Sequence, residues 1–164
     1  MVSEPGLAAS VDPAILGGTP VSVEDALAQL LGSVTGGRDY VAILAYLPPD
    51  PDVEERLQRL RARIRDATGA ATTLGFGPRF LHSTGQLHKG GPDSGVFLQL
   101  TAEPSRDLPI PGWEESFGTL IAAQALGDLA SLQRRGSRAL RLHLEELDPG
   151  LDRVEAMAAA TLGP

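Results

Sequence analysis

The sequence contains no cysteine, which excludes disulfides, a cysteine nucleophile and thiolate metal sites. Aromatic residues are scarce, at 4%, so aliphatic side chains and alanine must fill the core. Lysine is nearly missing: of 14 basic residues, all but Lys89 are arginine. No apolar run approaches the roughly 18 residues that a membrane-spanning helix needs. The start of the chain lacks the basic segment and apolar stretch of a secretory signal. These absences predict a cytoplasmic protein with no membrane partner. Basic charge is also outweighed, by 21 acidic residues against 14, for a net charge of -7. That balance argues against nucleic acid as a partner but leaves room for a small local anion site.

What is present is an ordinary globular chain. Apolar residues make up 42% and charged residues 21% of 164 positions, a length that suits one domain. Residues 1–20 mix Pro, Gly, Ser and Ala without a period and read as a flexible linker or arm. A helix is predicted over 22–34, with Ser22 as its cap and Val23, Ala26, Leu27, Leu30, Leu31 and Val34 on one stripe. Residues 40–47 (YVAILAYL) are nearly all apolar and suit a strand buried on both faces. Further elements are predicted as a helix over 52–67, strands over 71–76, 96–101 and 139–144, and helices over 116–134 and 149–161. The strand at 139–144 alternates strictly, which predicts an edge strand with one covered face. The helix at 116–134 should bury Phe117, Leu120, Ile121, Leu129 and Leu132. Strands alternating with helices imply a three-layer α/β sandwich with a mainly parallel sheet of about four strands, occupying residues 21–164.

The unusual segment is 79–91 (RFLHSTGQLHKGG), a predicted loop that follows a predicted strand. In open α/β sheets, ligands bind in loops beyond the carboxyl ends of the strands. Arg79, Ser83, Thr84, Gln86 and Lys89 supply donors suited to phosphate, and the glycines let backbone N–H groups approach an anion. His82 and His88 can exchange protons near neutral pH. The same segment also fits a polar loop whose histidines are simply hydrogen-bonded. Zinc is disfavoured, because two histidines at i,i+6 give only two ligands. Elsewhere, His143 reads as a surface or edge residue, and Gln124 as a site residue or a solvated one. The chain has no G-x-G-x-x-G, Walker loop or G-x-S-x-G elbow.

The stretch TTLGFGPRFLHSTGQLHKGGPDSGVFLQLT, followed by DLPIPG and FGTLIAAQALGDL, resembles the C-terminal part of bacterial enzymes that fuse transaldolase to phosphoglucose isomerase. The resemblance runs over residues 39–144. It implies an SIS-like (sugar-isomerase) α/β unit, interconversion of glucose 6-phosphate and fructose 6-phosphate through an enediol, and neither cofactor nor metal. The stretch GQLHKG at 85–90 looks like the Q-L-x-H-Q-G of phosphoglucose isomerases, with one residue fewer. By that match His88 opens the sugar ring by proton transfer at the ring oxygen, reaching into a neighbouring subunit. Arg79, His82, Ser83, Thr84, Gln86, Lys89 and Gln124 would bind the sugar phosphate. Two departures stand out. The family's late-helix lysine is missing, leaving Gln124 there and Lys89 as the candidate cation. The family's G-x-S-x-x-T phosphate loop and the transaldolase Schiff-base lysine have no counterpart either. The resemblance therefore implies one unit of a larger site, completed by upstream SIS and transaldolase domains or a second subunit, and inactive alone. The alternative is a non-catalytic sugar-phosphate-binding or assembly module.

Overall fold

Hydrophobic alternation explains how the sheet acquires its two faces. In the computed structural model, which describes residues 1–163, the run at 40–47 forms strand β3 (Tyr40–Tyr46). Val41, Ile43 and Ala45 of β3 enter one core, and Ala42, Leu44 and Tyr46 enter the other. Strands β4 (Ala71–Phe76), β5 (Gly95–Ala102) and β6 (Arg138–Leu144) join it in parallel, β4 and β5 flanking β3 and β6 pairing with β5.

The chain is an α/β protein with a mixed, mostly parallel sheet of six strands rather than about four. The two extra strands come from the segment predicted as linker. Strand β1 (Val2–Glu4) and strand β2 (Leu7–Val11) form an antiparallel hairpin, and β2 pairs antiparallel with β6. Pro5 and Gly6 turn the hairpin, with Gly6 at φ 81°, a conformation that glycine adopts without steric cost. Leu7 and Ala9 alternate into the core at 0% exposure. Glu4 then ties the hairpin down: one carboxylate oxygen accepts from the Val23 N–H at 3.0 Å, the other from Arg153 at 2.6 Å. The Val23 contact, with Arg153 beside it, holds the Glu4 carboxyl below its ordinary pKa against a weaker opposing effect of burial. Composition concealed these strands because each is short and built partly from small residues.

The hairpin also makes β6 an interior strand, in the order β1-β2-β6-β5-β3-β4, and not the edge expected from its alternation. The alternation has another cause. Leu140, Leu142 and Leu144 face the larger core, while Arg141 and His143 face the opposite side.

Three helices cover the larger core: α2 (Val23–Gly32), α3 (Pro51–Thr68) and α6 (Leu147–Leu162), after a single turn α1 (Pro13–Leu16). Ser22 caps α2 and Asp50 caps α3, each side chain accepting a backbone N–H. The other face is thinner. It is covered by a 3-10 turn (Arg79–His82), the short helix α4 (Thr84–Gly90) and α5 (Phe117–Arg134). Helix α5 buries Ala125, Asp128, Leu129 and Leu132, an i, i+3, i+4, i+7 stripe. Phe117, Leu120 and Ile121, predicted to be core, remain 45%, 43% and 37% exposed. The first turns of α5 border an open groove, so only the later turns reach the sheet. Among the described residues no helix is long and apolar enough to cross a membrane.

Because the hairpin is part of the core, Leu7→Ala should destabilise the protein by about 2–5 kcal/mol, the usual cost of truncating a fully buried leucine. Urea denaturation measures it. A change near zero would return residues 1–11 to the role of a loose arm.

Candidate functional site

The segment singled out in the sequence leaves the carboxyl end of β4 and folds down over the thin face of the sheet. Phe80 anchors it, buried and edge-on to Tyr46 at a ring separation of 5.5 Å. Gly85 lets α4 sit on the preceding turn, since a Cβ there would stand 2.9 Å from the Phe80 carbonyl oxygen. His88 then points at the sheet. It is 6% exposed, its Nδ1 lies 3.0 Å from the Tyr40 hydroxyl, and its ring meets Phe97 edge-on at 5.2 Å. Its Nε2 is buried and has no hydrogen-bond partner among the described residues. Burial pushes the His88 pKa below 6.5; the Asp128 charge opposes this and the Lys89 charge adds to it. His88 is thus held as a neutral imidazole at pH 7.

Lys89 is engaged too. Its Nζ lies 2.5 Å from Oδ1 of Asp128, whose side chain is only 2% exposed. A carboxylate at that depth needs a paired cation, and Lys89 is the cation present. Among the described residues, neither the Asp128 Oδ2 nor the Tyr46 hydroxyl, both buried, has a hydrogen-bond partner. Burial, and then the Asp128 charge, push the Tyr46 pKa upward, so this phenol stays protonated. Arg135, just past α5, donates to the carbonyls of Lys89 and Gly91 and so caps the end of α4. Lys89 from one side and Arg135 from the other fasten the stretch to α5.

The eight residues predicted as a site therefore fall into separate places. His88 and Lys89 form a shielded cluster with Tyr40, Tyr46 and Asp128. His82, Ser83, Thr84 and Gln86 are exposed on the turn and on α4. Ser83 donates to the Phe80 carbonyl and Gln86 to the Leu81 carbonyl, both at 3.3 Å. Gln124 is half-buried on α5. Arg79 lines a different feature. Among the described residues no three His, Asp or Glu side chains are grouped as metal ligands.

That feature is a groove of about 810 Å³ at the carboxyl ends of the parallel strands, between the loop after β5 and the start of α5. Arg79, Arg106, Arg141, His143, Thr101 and Glu103 line it. Thr101 and His143 are register partners on β5 and β6. The Arg141 Nε–H donates to Thr101 Oγ1 at 3.0 Å, Thr101 lies 2.9 Å from His143 Nδ1, and His143 Nε2 lies 3.1 Å from Glu103. The Thr101 hydroxyl thus bridges the Arg141 guanidinium and the His143 ring, whose other nitrogen faces the Glu103 carboxylate. Sequence reasoning missed this network by treating His143 as surface or edge. The signal was the Arg-x-His pattern on one face of β6, where a groove rather than bulk solvent takes the polar side chains.

No protein-family model matches the chain, and no curated protein matches it. Among solved structures, the fold is similar to that of the hypothetical protein TT0462 from Thermus thermophilus, with a TM-score of 0.70 at 18% identity over 86% of this chain. At that identity the likeness concerns the fold alone. The matched region is 39% of the neighbour's length, so the chain spans about two fifths of it.

A histidine buried as the neutral form destabilises the fold on acidification. The unfolded chain takes up a proton near pH 6.5, while folded His88 does so only at lower pH. Stability should therefore be fully present above pH 6.5 and decline as pH falls below it. His88→Phe should flatten that slope in denaturation series between pH 7 and pH 5. An unchanged slope would mean that His88 is accessible to protons in the folded state.

Proposed function

We propose that this domain is a sugar-isomerase (SIS-like) unit, the C-terminal part of a glucose-6-phosphate isomerase of the transaldolase-fusion type, and that it works with a second unit. The reading rests first on the resemblance of residues 39–144. The single structural observation that favours it is His88, the residue the resemblance makes the ring-opening acid/base. A buried polar nitrogen with no partner is uncommon and costs stability. A catalytic role in an assembled enzyme accounts for its retention. In the domain alone Nε2 is shielded, so α4 must present it to a sugar held by the other unit. The exposed His82, Ser83, Thr84 and Gln86, on the turn before α4 and on its first turn, would meet that sugar phosphate. The base that moves the proton between C1 and C2 belongs to the other unit.

A non-catalytic sugar-phosphate-binding or assembly module is the second reading. It is favoured by the Lys89–Asp128 pair, which removes the only lysine from substrate.

The assay is conversion of fructose 6-phosphate to glucose 6-phosphate, coupled to oxidation of the product. The chain by itself should be inactive, and adding an amino-terminal sugar-isomerase unit that carries the catalytic glutamate should produce turnover. His88→Ala in that assembly should slow ring-closed substrate more than open-chain substrate. Equal slowing of both forms would remove the ring-opening role. Silence of the assembled pair would favour the non-catalytic module.

A further inference from the structure

The groove holds a charge that the fold does not neutralise. Arg56, Arg138 and Arg153 are part-buried and each meets a carboxylate. Arg141 is part-buried as well, yet among the described residues its one hydrogen bond is to Thr101. Burial pushes the Arg141 pKa below its ordinary value, with Glu103 opposing the shift. A partly desolvated cation without a contact partner is costly unless a ligand supplies the anion.

The two acids nearby are already engaged. Glu103 holds His143. Asp107 accepts from the N–H of Gly118 and of Leu108, both at 2.8 Å, and from the Ser116 hydroxyl at 2.5 Å. Those donors hold the Asp107 carboxyl below its ordinary pKa. Arg79 and Arg106 line the same groove, so three guanidinium groups border one cleft in a chain of net charge -7. Guanidinium forks match phosphate geometry and favour a dianion over a monoanion when several border one cleft. The same groove is also lined by the apolar side chains of Phe76, Leu108, Phe117 and Ile121. This mixture accounts for the exposure of Phe117 and Ile121: they form a wall of the groove. Its volume is in the range of small-molecule sites, and its place beyond the strand ends is where α/β sheets bind ligands.

We infer that this groove binds a phosphorylated small molecule, its phosphate held by Arg141, Arg79 and Arg106 and its body lying against Phe76 and Phe117. Thr101 fixes Arg141 through Nε and leaves the two terminal nitrogens for the ligand. The site shares only Arg79 with the 79–91 segment and needs no second unit, so it goes beyond the isomerase reading.

The test is titration of the full chain followed by amide chemical shifts, with inorganic phosphate, glucose 6-phosphate and gluconate as probes. Saturable shifts should centre on residues 101–108 and 117–122 and on β6, with glucose 6-phosphate binding more tightly than phosphate. Arg141→Gln should weaken binding about tenfold or more, the cost of losing a charged hydrogen-bond donor, and Arg141→Lys should recover part of it. Arg106→Gln, at an exposed position that the fold does not need, should weaken it less. Binding that is indifferent to both Arg141→Gln and Arg106→Gln would overturn the site, as would shifts confined to residues 79–91. Gluconate binding as well as glucose 6-phosphate would overturn the phosphate assignment. Since no turnover is read, failure here leaves the isomerase assay to stand or fall separately.

Discussion

The thin face of this sheet depends on one ion pair whose carboxylate is buried. Lys89 and Asp128 join α4 to α5 across the aromatic cluster of Tyr40, Tyr46, Phe80, His88 and Phe97. Three helices cover the opposite face, largely with aliphatic side chains. Here a 3-10 turn and two helices do the covering, and one of those helices has only seven residues. A helix so short gains little from its own hydrogen bonds and persists because tertiary contacts hold it. Phe80 on one side and Lys89 on the other supply those contacts. The shielding of His88, the neutral imidazole and the unpartnered Tyr46 hydroxyl all follow from where α4 is pinned.

The same arrangement divides the chemistry of the molecule. Lys89 of the 79–91 segment turns inward and holds the fold. Cations at the strand ends, Arg141 above all, remain available to a ligand. Helix α5 shows the division along its own length. Its later turns bury Ala125, Asp128, Leu129 and Leu132, while its first turns expose Phe117, Leu120 and Ile121 beside the groove. Ser116 caps that first turn and Asp107 closes the loop onto it, so the wall of the groove is braced even though it is open.

Much of this was legible in the residues. The apolar run at 40–47 marked strand β3, which is buried on both faces, and the periodic stripes marked α2 and α3 within a residue or two at each end. The parallel core followed from the alternation of strands and helices. The N-terminal hairpin was not legible, because Leu7 and Ala9 are buried by pairing with a strand more than 130 positions later, and five residues carry too short a pattern. The apolar half of α5 misled for the opposite reason: periodicity says which residues share a face, not what covers that face. The donors of 79–91 were read as one site because they are adjacent in sequence. Folding separates them, since α4 turns His88 inward and leaves His82, Ser83 and Thr84 outward. The groove network of Thr101, Glu103, Arg141 and His143 was hidden by distance along the chain, being assembled by register between β5 and β6.

The most direct measurement is a double-mutant cycle on the pair that fastens α4. Lys89→Met, Asp128→Asn and the double variant would be unfolded in urea at pH 7. If the pair pins the segment, Lys89→Met alone costs about 3–5 kcal/mol, since it strands a buried carboxylate. The double variant should then cost less than the sum of the two singles, with a coupling of about 1–3 kcal/mol. Additive costs, with no coupling, would mean that the ion pair does not hold α4 and that His88 is free to leave the sheet.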